Sequence, residues 1–211
     1  MKITYSDTKF NAKPIIGTTV SKYNNQFGNF MTCPANFVLL DKTCPADIKT
    51  VNQIEEKWEN AQFIKKIRLH ANWMLQQKFG HIKIFALTTQ TDKFEKLDPS
   101  KILGFADISQ NNNSKKIILE FLQVAPNAKN VENNVEPQFK GCGTAILESL
   151  KEIYNTITLC SAPSMNLRKF YKNRGFFKIP FTDDNYMWIA NPLRLLMRFV
   201  FGNRNFKKAN S

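Results

Sequence analysis

Acidic residues, histidine, cysteine and glycine are all scarce in this chain of 211 residues. Seventeen Asp and Glu stand against 30 Lys and Arg, a formal net charge of +13. Two histidines (His70, His81) and four scattered cysteines (Cys33, Cys44, Cys142, Cys160) form no CxxC pair and no ligand spacing, so no metal site is expected. Eight Gly and nine Pro are too few for a collagen-like or linker chain. No apolar run approaches the roughly 20 residues of a membrane-spanning helix. The longest, 193–201, is interrupted by Arg194 and Arg198. The first ten residues are polar and carry no apolar segment of the secretory kind. A cytoplasmic location with reduced thiols is therefore expected.

What is abundant is aromatic and apolar mass: 18 Phe, 12 % aromatics and 43 % hydrophobic residues. That excludes a disordered chain. The length suits one domain, since domains run to roughly 100–200 residues. The excess positive charge is open to three partners, namely nucleic acid, an anionic membrane surface or an anionic small molecule.

Periodicity divides the chain into an extension (1–34), a domain (35–191) and a tail (192–211). The extension reads as irregular, with room for one short strand. A brief β-like run covers 36–41, and Pro45-Ala-Asp47 opens a helical stretch. Ile54, Trp58, Ala61, Ile64, Ile67, Ala71 and Met74 then recur at helical spacing, predicting a helix over 51–77. Strands follow at 81–88, 101–109 and 116–124, joined by polar segments that include the turn cluster 111–114, as in an antiparallel meander. After a polar insertion at 127–137, Gly141-Cys-Gly143 opens a helix with Ile146, Leu147, Leu150, Ile153 and Tyr154 on one face. A strand at 156–160, a helix at 165–173 and a hairpin at 176–190 turning at Thr182-Asp-Asp184 complete a mixed α/β pattern.

The glycine turn carries the chemistry. A strand ending Leu122-Gln-Val-Ala-Pro126 leads through the insertion to Gln138-Phe-Lys-Gly-Cys-Gly-Thr144. Helix-start amides have no internal acceptor, and glycines admit a ligand close to the backbone. With the helix dipole and Lys140, that arrangement suits a phosphate group. It is neither a Walker loop nor a dinucleotide fingerprint, because GxxxxGK[ST] and the third Gly of GxGxxG are absent.

Gln138-x-x-Gly141-x-Gly143 resembles the Q/R-x-x-G-x-G/A motif of the GNAT superfamily of N-acetyltransferases. Leu122-x-Val124-x-Pro126 resembles that family's fourth strand, and Phe170-Tyr-Lys-Asn-Arg-Gly-Phe176 its FYxxxGF segment. The chain departs from the pattern in its long insertion and in Ser164, with Asn166 nearby, where the family often has Asn.

The resemblance implies a mixed, mostly antiparallel sheet flanked by helices, with a splayed strand pair holding acyl-CoA. It implies an N-acetyltransferase that moves an acetyl group from acetyl-CoA, its co-substrate, to a primary amine by direct attack. Pyrophosphate contacts would come from Gln138, Phe139, Lys140, Gly141, Cys142, Gly143 and Thr144, mostly through backbone amides. The pantetheine arm would lie along Leu122 and Val124, and Ser164 or Asn166 would add a cofactor hydrogen bond. Tyr171 is the candidate general acid and Glu120 the candidate base, with Asp107 and His81 behind it. Strict alternation along the strand puts Glu120 on the face of Leu122 and Val124. Cys142, if exposed in the turn, would be open to alkylation.

Two other functions share these features: acetylation of aminoacyl-tRNA, as by toxin members of the family, and a non-catalytic acyl-CoA-binding or membrane-associated module. The tail holds Arg194, Arg198, Arg204, Lys207 and Lys208 without an acid. Its apolar residues form the opposite stripe of a short amphipathic helix. Docking on the domain, a homodimer contact or weak contact with an anionic membrane are the roles open to it. Lys140, Lys169, Lys172 and Arg174 lie in or beside the proposed CoA segments, and no compact basic stripe remains, so nucleic acid is not the expected partner.

Overall fold

A computed structural model of the chain describes residues 12–41, 44–58, 82–110, 115–126, 138–179 and the backbone of 186–190. Residues 59–77 of the expected long helix, the turns at 111–114 and 182–184, the insertion, His70, His81 and the tail lie outside them.

Nine strands form one sheet in the order β6-β1-β2-β3-β4-β5-β7-β9-β8. The strands are β1 (Lys13–Asn24), β2 (Asn29–Leu39), β3 (Ile82–Thr88), β4 (Ile102–Gln110), β5 (Lys116–Val124), β6 (Phe139–Lys140), β7 (Thr156–Cys160), β8 (Phe177–Lys178) and β9 (Tyr186–Ala190). The helices are α1 (Pro45–Lys57), α2 (Cys142–Ile153) and α3 (Met165–Lys172). Every neighbouring pair is antiparallel except β5 and β7, which run parallel. A parallel pair needs a crossover, and α2 supplies it. The mixed, mostly antiparallel architecture is the one expected.

Both faces of the central strands are covered, which explains their nearly unbroken apolar sequences. Phe85, Leu87, Leu103, Ala106 and Ile108 pack under α2 with Ile146, Leu147 and Leu150. Ile84, Ala86, Ile102 and Phe105 pack on the other face with Val51 and Ile54 of α1. Phe37 and Phe85 stack across strands at 4.8 Å.

Two expectations are corrected. Residues 13–34 are not irregular: β1 and most of β2 form a long hairpin closed by Gly28 at φ 63°. The run Ile15-Ile-Gly-Thr-Thr-Val20 has the β-branched composition of a strand. One face carries Ile16 and Val20 to the core and the other is exposed, but the small and polar residues between them leave no apolar alternation in the sequence. The helical stretch does open at Pro45 as expected, but α1 does not run unbroken toward 77. α1 runs from Pro45 and ends at Lys57, where Trp58 turns extended (φ −95°, ψ 118°). The Trp58 ring then lies 5.8 Å from that of Phe105. A periodic apolar stripe does not register the end of a helix at a residue whose side chain still faces the core.

Asp47, in the first turn of α1, ties the preceding loop down. Its Oδ2 accepts from the Asp41 N–H at 2.7 Å, while Oδ1 is buried without a hydrogen-bond partner. Burial pushes its pKa up to about 6; the Asp41 N–H opposes this and the Asp41 charge adds to it. An acid whose folded pKa is raised contributes stability that is fully present below its unfolded pKa and is lost as pH rises through the folded pKa. Asp47→Asn removes this titration and keeps an oxygen for the Asp41 N–H. We expect the Tm difference between variant and wild type to move in the wild type's favour as pH falls from 7.5 to 5. About one pH unit of the shift falls within this range, roughly 1.4 kcal/mol. A pH-independent difference would contradict the buried, raised carboxyl.

Candidate functional site

α2 begins at a left-handed residue. Gly141 is its N-cap at φ 81°, ψ 2°, and no atom lies within 4 Å of where a Cβ would stand. The first intrahelical donor is Ala145, whose N–H reaches Gly141 O at 2.8 Å. The amides of Cys142, Gly143 and Thr144 precede it and have no helical acceptor. No side chain caps them. They form a small cluster of donors at the positive end of the helix dipole, with open space at Gly141.

The second glycine has a different reason. A Cβ on Gly143 would meet Phe170 Cζ at 3.2 Å and Leu122 Cδ2 at 3.9 Å. The three segments singled out in the sequence, from β5, α2 and α3, therefore converge at this residue. Gly143 permits close packing against the Phe170 ring, and Gly141 permits the left-handed backbone.

Beside this convergence the parallel pair opens. β5 and β7 are in register from Lys116↔Thr156 to Leu119↔Leu159, and no pair follows. β5 nevertheless continues to Val124. The splayed pair expected from the resemblance is present. On the other side of β5, the β4 register passes from Ile108↔Leu119 to Asp107↔Phe121, so Glu120 is the extra residue of a β-bulge. A bulge raises local twist and turns two successive side chains to one face.

That bulge corrects the reading of Glu120. Leu119 packs on the α2 side, Phe121 on the α1 side, and Leu122 and Val124 on the α2 side again. Glu120 is exposed and accepts from Ser109 Oγ at 2.6 Å. It does not share the face of Leu122 and Val124. It stands at the head of the gap on the opposite face. Asp107 is fully buried, two residues beyond Phe105 on the α1 side.

Tyr171 belongs to the α2-side core. It is 8 % exposed, and its ring meets those of Phe170 at 5.1 Å and Phe176 at 5.6 Å, both edge to face. Burial pushes its pKa up to about 12, against the opposing charge of Arg174. The phenol is thus protonated throughout the physiological range. Tyr171 lies on the α2 side of the sheet and Glu120 on the other.

Other expected residues are placed less simply. Phe139 and Cys142 bury their side chains in the core and offer the backbone alone. The Gln138 carbonyl is taken by Tyr23 N–H at 2.9 Å, because β6 pairs with β1. The Lys140 ammonium lies 3.8 Å over the Phe30 ring. The Thr144 hydroxyl accepts from Arg174. Ser164 is the N-cap of α3 and, with exposed Asn166, lies at the end of that helix away from Phe170. No contact brings either to the glycine turn. Among the described residues no cluster of His, Cys, Asp and Glu could hold a metal ion, and no helix is long and apolar enough to cross a membrane. The pairing of β6 with β1 and the Arg174–Thr144 contact were missed by sequence reasoning. Arg174 was marked by charge, with nothing to indicate its partner.

No family model and no curated protein matches the chain. Solved structures resemble it in shape. AtaT complexed with acetyl-methionyl-tRNA is 10 % identical over 77 % of this chain and 98 % of its own, with TM-score 0.48. An acetyltransferase of the GNAT family from Desulfovibrio desulfuricans is 12 % identical over 74 % and 98 %, with TM-score 0.47. The PaiA N-acetyltransferase from Thermoplasma acidophilum, in complex with coenzyme A, is 14 % identical over 74 % and 98 %, with TM-score 0.44. At such identities and scores these likenesses carry no chemistry to this chain.

The placement of Cys142 has a direct check. It is 2 % exposed, and desolvation pushes its thiol up to about 11 against the influence of its own amide. Reactive cysteines are exposed with lowered pKa, so the condition under which Cys142 would be open to alkylation is not met. Mass spectrometry after brief iodoacetamide treatment is expected to find exposed Cys160 modified first and Cys142 modified only on unfolding. Equal rates at the two sites would contradict the buried turn.

Proposed function

We propose that the chain is an N-acetyltransferase that uses acetyl-CoA as co-substrate and a primary amine as acceptor. The observation that carries this reading is the junction of two open features: the gap beyond Leu119↔Leu159 and the uncapped amides at the start of α2. An extended amide-bearing arm ending in pyrophosphate is the chemical shape that satisfies both. Strand-edge peptide groups pair with the arm, and helix-start amides take the phosphates.

The reaction needs no covalent enzyme intermediate. The amine nitrogen attacks the thioester carbon, a C–N bond forms, and collapse of the tetrahedral species breaks the C–S bond. The departing thiolate needs a proton and the attacking ammonium must lose one. Tyr171, kept protonated by burial, is the proposed donor to sulfur. Glu120, exposed beside the head of the gap on the other face, is the proposed acceptor from nitrogen. Acid and base on opposite faces suit a thioester lying between two strands.

Turnover is measured as free CoA thiol released across a panel of polyamines, peptide N-termini and aminoacylated tRNA. Tyr171→Phe removes one oxygen from an otherwise intact ring cluster. It is expected to lower kcat more than tenfold while acetyl-CoA binding persists, within the usual range for a general acid of about 10²–10⁴. Glu120→Gln is expected to lower kcat while acetyl-CoA binding persists. Unchanged turnover in either variant removes that residue from the mechanism. Failure of the wild type to release thiol with any amine, despite binding acetyl-CoA, supports a non-catalytic module instead.

A further inference from the structure

Thr144 offers two groups at the start of α2. Its backbone N–H is one of the open amides, and its hydroxyl is turned toward the segment that follows α3. There it accepts from two nitrogens of Arg174, Nε at 3.0 Å and Nη2 at 2.5 Å. Arg174 Nη1 donates to Phe170 O at 2.8 Å, and the guanidinium lies 3.6 Å over the Phe170 ring. The same ring abuts Gly143. Lys151, two turns further along α2, donates to Arg174 O at 2.8 Å. The turn after α3 is thereby fastened to α2 at two levels.

A cation beside the first turn of a helix opposes the helix dipole. Burial disfavours this charge too: desolvation lowers the Arg174 pKa, while Glu148 and Tyr171 offset part of the effect. An anion arriving at the same turn is attracted to both the cation and the helix dipole and offsets these costs. The planar fork also does what a point charge cannot, holding one hydroxyl with two nitrogens while stacking on an aromatic face.

We propose that Arg174 is a positioning residue for phosphate binding: by forking on the Thr144 hydroxyl and stacking on Phe170, it fixes the direction of the Cys142–Thr144 amides. The proposal rests on the acyl-CoA reading above. It goes beyond that reading by assigning the aim of the amides to a side chain that itself need not touch the ligand.

The test uses the full chain with CoA and acetyl-CoA as probes, in calorimetry and steady-state kinetics. Thr144→Val keeps the backbone amide and side-chain shape but removes the acceptor, so it serves should Arg174 variants fold poorly. Arg174→Gln, Arg174→Lys and Thr144→Val are each expected to weaken CoA binding and raise KM for acetyl-CoA about tenfold. They are expected to leave kcat and the amine KM within about twofold, as loss of uniform binding requires. Thr144→Ser, which keeps the hydroxyl, is the rescue control. Full rescue by Arg174→Lys would mean that charge alone matters and would overturn the positioning role. Variants with a lowered Tm but unchanged CoA affinity would overturn it as well, leaving a structural strut. Absence of CoA binding by the wild type would instead remove the acyl-CoA reading itself.

Discussion

Two parallel strands that pair along four residues and then separate leave peptide groups facing a gap. β5 and β7 do this after Leu119↔Leu159, while β5 stays hydrogen-bonded to β4 as far as Val124↔Gly104. Backbone donors and acceptors require partners wherever water is restricted. The bulge at Glu120 sits where the separation starts, and its added twist accounts for the divergence. The gap is thus built into the sheet, and every proposed role at the site is defined relative to it.

The helices take their positions from the same region. α2 crosses the sheet on one face and brings its open first turn against Leu122, and α3 closes on that turn through Phe170. Gly143 allows this contact because any larger residue would press on the Phe170 ring. Gly141 allows the chain to enter the helix from β6 at a positive φ. One short turn therefore meets two unrelated demands, close packing on one side and open amides on the other. The N-terminal hairpin adds a third support, since β1 holds β6 in place immediately before the turn.

Much of this was legible in the sequence because local rules and tertiary demands agree there. The central strands, α2 and the glycine turn carry strong periodicity or required glycines, and the three motif segments do meet. Other features left no local mark. The bulge that moves Glu120 to the other face depends on pairing with β4, which strict alternation along one strand cannot reveal. The β1 strand sends Ile16 and Val20 to the core, but the small and polar residues around them show no apolar alternation in the sequence. The break at Trp58 keeps its side chain in phase with the core. Lys140 reads as a phosphate ligand by position, yet its ammonium rests on Phe30, a contact set by the pairing of β6 with β1 and β1 with β2. Arg174 reads as one cation among several until its partner 30 residues away is known.

The central claim is that the β5–β7 gap and the first amides of α2 receive one ligand together. Backbone chemical-shift mapping by NMR during titration with acetyl-CoA tests it most directly. Saturable changes concentrated in the amides of 120–124 and 142–144, with one binding constant for both groups, are the predicted result. Saturable binding that leaves both groups unmoved, or moves only one of them, would contradict the account.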